Sequence, residues 1–279
     1  PLELYPRNSY MPEHKGAGSG TWTALCQALN VQSMEVAELI ASHKVIPNNL
    51  WVAIGLGRWD LVLSFFSQDG TLKDNAGDPG KFQSKQDILN DCFAMACHTG
   101  RVDLINFLLD KGADINGIDH WGMTGLHWAI QCHPELSRYL IEQGADVRIR
   151  DAQHVATQLS WALHFGNNQL ADYMIENCSI DIVDAINLGK ENIVREILTG
   201  DPELVDGQLG LGEPLRMAAK RGNEAIIEIL LSGSANPKIY DVKNGMFDQP
   251  ELKLTALQWA KKNNYFKIAQ KLQQAGAER

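Results

Sequence analysis

The heptapeptide TGLHWAI, Thr124–Ile130, admits two readings that exclude each other. With His120 and Trp121 just upstream, its histidine and tryptophan could line a metal or catalytic pocket, or they could be columns of a structural repeat. The rest of the chain discriminates. TALCQAL begins at Thr23, TQLSWAL at Thr157, EPLRMAA at Glu213 and TALQWAK at Thr255, each followed by a polar or glycine-bearing turn and a second apolar run. Aligning the first small residue of each motif gives Ala28, Ala53, Ala96, Ala129, Ala162, Ala185, Ala218 and Ala260, and three of the seven steps between them are 33 residues. A fixed period with matching residue types is the mark of stacked repeats.

One unit can be built from its residues. The threonine hydroxyl meets backbone N–H groups that the first turn of a helix leaves unsatisfied. The leucine enters the core, and the alanine lets neighbouring helices approach closely. Turns such as CHTGR (Cys97–Arg101) and KRGNE (Lys220–Glu224) end this helix, glycine taking the left-handed residue. A second helix carries one apolar stripe, as in Leu104, Ile105, Leu108 and Leu109. A single unit cannot bury that stripe, so successive units must stack.

TGLHWAI, the 33-residue step and the GAD endings resemble the ankyrin repeat, whose motif is T-P-L-H-x-A. The resemblance runs from about Ser19 to Ala277, strongest over Asp87–Arg150 and weakest over Cys178–Gly210. The phrases RWDLVLSFFSQDG and RIRDAQHVATQLSWALHFGN look particularly like bacterial ankyrin proteins. The implied fold is all-α dominated, an ankyrin-repeat solenoid of about eight helix-turn-helix units with short β-hairpin fingers. Residues 1–20 form a non-repeat lead-in and 21–279 the array, with insertions near 67–86 and 236–253. The short steps Ala28→Ala53 and Ala162→Ala185 leave too little chain for a finger.

The chain has 279 residues and a net charge of −9, which gives no support to nucleic-acid binding. It lacks an apolar run long enough for a membrane helix. Cys26, Cys92, Cys97, Cys132 and Cys178 are odd in number and lack framework spacing, so a reducing, cytoplasmic setting is expected. The chain begins at Pro1, and a longer native protein is compatible with that.

Catalytic and metal motifs fare poorly. In the repeat, His127 takes the column held elsewhere by Cys26, Ser160, Arg216 and Gln258, and the resemblance implies that its imidazole bonds neighbouring backbone. Trp128, Trp161 and Trp259 share one column and are expected to line the inner helices. Cys97–His98 and Cys132–His133 lack zinc-finger spacing. GQLGLG (Gly207–Gly212) lacks the ending of a phosphate-binding loop. Asp119–His120 and Asp151 with His154 fall on finger tips, where solvated turns account for them. No catalytic residue, cofactor or metal is assigned.

Function is therefore sought in the variable surface. The expectation is a non-enzymatic protein-interaction module or scaffold, monomeric, with an unknown protein partner and no nucleic-acid or membrane partner. The alternatives are a metal- or small-molecule-dependent enzyme with a site between repeats, and the targeting part of a larger protein. Candidate contacts at the fingers are His120, Trp121, Gln153 and His154; those following the inner-helix alanines are His98, Gln131, His164, Phe165 and Arg221. Trp121, Phe165 and Arg221 are of the types favoured as interface anchors.

Overall fold

The computed structural model describes residues 24–43, 48–77, 83–207, 213–239 and 254–277. The lead-in over 1–20 and most of the 236–253 insertion lie outside them. The described chain is helical and divides into two units, Pro1–Cys178 and Ser179–Arg279. The division falls at the short Ala162→Ala185 step, where only Cys178–Asp181 separates one helix from the next.

The first unit contains α1 (Ala24–Asn30), α2 (Met34–His43), α3 (Leu50–Leu56), α4 (Trp59–Ser64), α5 (Lys85–His98), α6 (Val102–Asp110), α7 (Gly125–Cys132), α8 (Pro134–Glu142), α9 (Gln158–His164) and α10 (Asn168–Asn177). Odd-numbered helices stack into one row, and each packs against the even-numbered helix that follows it. The second unit repeats the scheme with α11 (Ile182–Asn187), α12 (Glu191–Gly200), α13 (Glu213–Arg221), α14 (Glu224–Ser232), α15 (Ala256–Lys262) and α16 (Phe266–Gln274). No helix among the described residues is long and apolar enough to cross a membrane.

The repeat columns do what their chemistry requires. The eight aligned alanines are all buried, as are Leu126, Leu159, Leu215 and Leu257. Leucine burial of this kind stabilises by about 1.5–3 kcal/mol per side chain. Thr124, Thr157 and Thr255 cap α7, α9 and α15, each hydroxyl accepting from the backbone N–H three residues on. In the second helices, Leu104, Ile105 and Leu108 of α6 and Ile226, Ile227 and Leu230 of α14 form the buried stripes.

The expected hairpin fingers are reduced. Among the described residues they are single antiparallel bridges, Ile118 with Thr124 and Arg150 with Thr157, with no extended strand. A carboxylate inside each tip takes the N–H groups that a ladder would otherwise satisfy. The first insertion also closes on one bridge, Phe66 with Leu72, and its Ala76 carbonyl accepts from Leu50 N at the start of α3 (2.8 Å).

Candidate partner-binding surface

The fingers of the first unit are built around Asp119 and Asp151. Asp119 Oδ1 accepts from the backbone N–H groups of Trp121 (2.8 Å) and Met123 (2.9 Å), and Oδ2 accepts from Trp128 Nε1 on α7 (2.7 Å). Asp151 repeats the arrangement, Oδ1 accepting from the backbone of Gln153 (2.9 Å) and His154 (2.6 Å), and Oδ2 from Ala156 N (3.1 Å) and Trp161 Nε1 on α9 (3.0 Å). Each carboxylate thus ties a tip to the tryptophan of the inner helix behind it. Adjacent tips meet at Gly122, whose carbonyl accepts from Ala152 N (3.0 Å). Gly122 has φ +75°, and a Cβ there would come within 2.3 Å of the Ala152 methyl, so only glycine fits.

These aspartates correct the expectation of solvated turns: Asp119 is 6% and Asp151 2% exposed. A turn of this length cannot satisfy its own backbone donors, and the buried side chain does so instead. Their environments differ. Burial, opposed by His120 and reinforced by Asp91, raises Asp119 from the usual 3.8 to about 6. Burial also acts to raise Asp151, but the bonds from His154, Trp161 and Ala156 outweigh it and hold this carboxyl below 3.8.

His127 is fully buried and belongs to the same scaffold. Its Nδ1 accepts from Thr124 N (3.1 Å), which leaves Nε2–H to donate to the Ala156 carbonyl of the next finger (3.4 Å). Burial lowers its pKa to about 4, so the ring is neutral near pH 7. The buried Gln158 amide nitrogen donates to the Val147 and Ile149 carbonyls at 2.7 Å each. These groups hold the fingers and offer no reactive atom to solvent.

The sequence-derived contact residues fall into three settings. His98 is buried, 5% exposed; its Nε2 donates to the Asn30 carbonyl (2.9 Å) and its ring meets Trp128 edge-on. His120, Trp121 and Gln153 are half-buried. The His120 ring bonds Asp91 of α5, and Gln153 Nε2 donates to the Trp121 carbonyl (3.4 Å). Gln131, His154, His164, Phe165 and Arg221 are exposed. Four rings are contiguous along α9: His154 to Trp161 at 5.7 Å, Trp161 to Phe165 at 5.5 Å, and Phe165 to His164 at 5.2 Å. Arg221 lies in the second unit, its Nε donating to Asn187 Oδ1 (3.1 Å).

A cleft lined by Asn30, Trp51, Met95, His98, Trp121 and Trp128 has about 10 Å³ of space, roughly one water molecule. Cys132 Sγ lies 3.8 Å from His98 Nδ1, and His133 Nε2 donates to the His98 carbonyl (3.0 Å). Among the described residues no group of three or more His, Cys, Asp or Glu side chains is placed to hold a metal ion. None of the five cysteines is in a disulfide.

What sequence reasoning missed was the fingertip anchor. The signal was present as an aspartate nine residues before Trp128 and ten before Trp161. Asp91, which receives both the His120 backbone N–H (3.1 Å) and its ring, sits beside Asn90 in the buried middle of α5 and carried no spacing clue.

Comparison with known proteins agrees with this architecture. Residues 50–151 and 93–185 match the family of ankyrin repeats (3 copies). The chain is 25% identical to Palmitoyltransferase AKR1 of Lachancea kluyveri over 69% of its length and 27% of that protein. It is 30% identical to Ankyrin repeat protein nuc-2 of Neurospora crassa over 52% of its length and 15% of that protein. Over 21% of its length it is 40% identical to the Probable 26S proteasome regulatory subunit p28 of Saccharomyces cerevisiae, covering 27% of it. The chain therefore spans less than a third of each of these relatives. All three are fungal, which gives no support to the narrower likeness to bacterial ankyrin proteins.

Proposed function

We propose that the chain is a non-enzymatic protein-interaction module and that a partner docks on the exposed rings of the first unit. Ankyrin repeats point to protein interaction in general. The observation that supports this particular face is the run His154–Trp161–Phe165–His164, which leads from a fingertip along α9. Phe165 is 44% exposed, and Trp161 behind it is fixed by Asp151. A rigid aromatic run bears large contact area at small entropic cost on binding. The palmitoyltransferase activity in one relative's name is a property of that whole protein, of which this chain spans 27%. The scatter of the five cysteines, none of them in a disulfide, supports a reducing, cytoplasmic setting for a monomeric module.

The test is partner recovery from the native cell by the full chain and by the H154A/H164A/F165A variant. A variant with an unchanged melting curve is expected to lose at least tenfold of the recovered partner. Equal recovery by the folded variant would reject this face.

A further inference from the structure

The second unit ends its inner helices in a different chemistry. The last turn of α13 carries Lys220 and Arg221, and that of α15 carries Lys261 and Lys262. All four are exposed. The row is held together: Arg221 Nε donates to Asn187 Oδ1 at the end of α11 (3.1 Å), and Asn263 Nδ2 donates to the Lys220 carbonyl (3.1 Å). Between them lies Trp259, with Lys220 Nζ 4.8 Å and Lys262 Nζ 5.0 Å from its ring centroid. The two ammonium groups converge on one ring although like charges repel. Beside the row, the Tyr265 ring covers Gly222, whose missing Cβ would meet Tyr265 Cζ at 2.6 Å, and Phe266 is 76% exposed.

Five described acidic groups of this unit are placed elsewhere. Glu224 and Glu228 of α14 pair with Lys271 of α16, Asp181 and Asp184 are buried, and Glu213 starts α13 at its far end. The charge balance follows the same division. Ser179–Arg279 carries 13 Lys and Arg against 14 Asp and Glu, whereas Pro1–Cys178 carries 12 against 20. The acidic surplus of the whole chain thus belongs to the first unit.

We infer that the ends of α13 and α15 form a docking face for an acidic, extended segment of a partner protein. The inference rests on the reading of the chain as an interaction module and names the partner's chemistry at a second face. Packed helices lie about 8–10 Å apart, which sets the separation of the α13 and α15 ends that carry the two cationic pairs. Carboxylates three residues apart in a polyproline-II segment recur every ~9 Å on one side, which matches it. The exposed Phe266 and Tyr265 then receive a flanking apolar side chain. A nucleic acid fits less well, because a long polyanion meets the field of a chain with net charge −9.

Fluorescence anisotropy with the full chain tests this, using a labelled Pro-rich peptide carrying Glu-x-x-Glu and the same peptide carrying Gln-x-x-Gln. The Glu peptide is expected to bind at least tenfold more tightly, and raising the salt concentration should weaken it. Exposed ion pairs are individually weak, so K220Q/R221Q is expected to weaken binding about tenfold and K261Q about threefold. F165A should leave it unchanged, which separates failure of this face from failure of the α9 face. Equal binding of the two peptides, or insensitivity of the Glu peptide to K220Q/R221Q and K261Q, overturns the inference. So does tighter binding of a single-stranded oligonucleotide of equal length. If K220Q/R221Q melts early, K261Q and the Gln peptide still decide.

Discussion

Two residues past the aligned alanine of the repeat, the first unit carries His98, Gln131 and His164, and the second carries Lys220 and Lys262. The tryptophan column shows the same contrast. Trp128 and Trp161 donate their indole N–H to buried fingertip carboxylates, whereas Trp259 takes two ammonium groups against its ring. One residue type in one repeat position therefore serves two purposes. In the first unit it fixes a finger, and in the second it gathers cations. The repeat specifies how helices stack, and the groups set around the column specify what the surface offers.

The largest break in that comparison should come from removing a fingertip carboxylate. Asp151→Ala leaves the Trp161 indole and the N–H groups of Gln153, His154 and Ala156 without their acceptor. Each bond to an ionised group is worth about 1.5–3 kcal/mol, and these act as one network. We expect a loss of about 3 kcal/mol in urea unfolding, with the near-ultraviolet tryptophan signal collapsing at lower denaturant. A loss below about 1 kcal/mol would show that the fingertip is held by its packing alone.

A matched pair of substitutions sharpens the contrast. Trp161→Phe removes the indole donor to Asp151 and should cost about 2 kcal/mol. Trp259→Phe keeps an aromatic face for Lys220 and Lys262, so the weaker cation attraction accounts for only about 0.5 kcal/mol of its effect. Both substitutions also shrink a ring, so the difference between them isolates the hydrogen bond. Equal destabilisation would mean that the column has the same role in both units.

Much of this fold was legible because the repeat residues act locally. Thr124, Leu126 and Ala129 cap, bury and space one helix, and each does so with atoms of its own unit or the next. The fingertip anchor was harder to see, since Asp119 and Asp151 look like ordinary turn residues until the tryptophan behind each is placed. The burial of His98 was invisible for a related reason. Its environment is made by Asn30 at the end of α1 and Trp128 of α7, 68 and 30 residues away. Hairpin ladders were expected from the repeat pattern, but a tip of this length closes with one bridge and a carboxylate.

The smallest net effect should be the pH response of the two fingertip carboxylates, because they titrate on opposite sides of their unfolded value. Asp119 has a folded pKa raised to about 6 from 3.8, so its proton favours the folded state. Its contribution is fully present below pH 3.8 and is lost as the pH rises through about 6. Asp151 is lowered from 3.8, so its contribution is present above that value and is lost as the pH falls through its folded pKa. Acidifying from pH 7 should first add stability through Asp119 and then remove it through Asp151. Carboxyl-carbon NMR should find the Asp119 midpoint near 6 and that of Asp151 below 3.8. Asp119→Asn should abolish the gain on acidification while leaving the acid-side loss. The reverse order of midpoints would mean that the three donors on Asp119 outweigh its burial. The two tips would then be one electrostatic design repeated, where the present geometry makes them two.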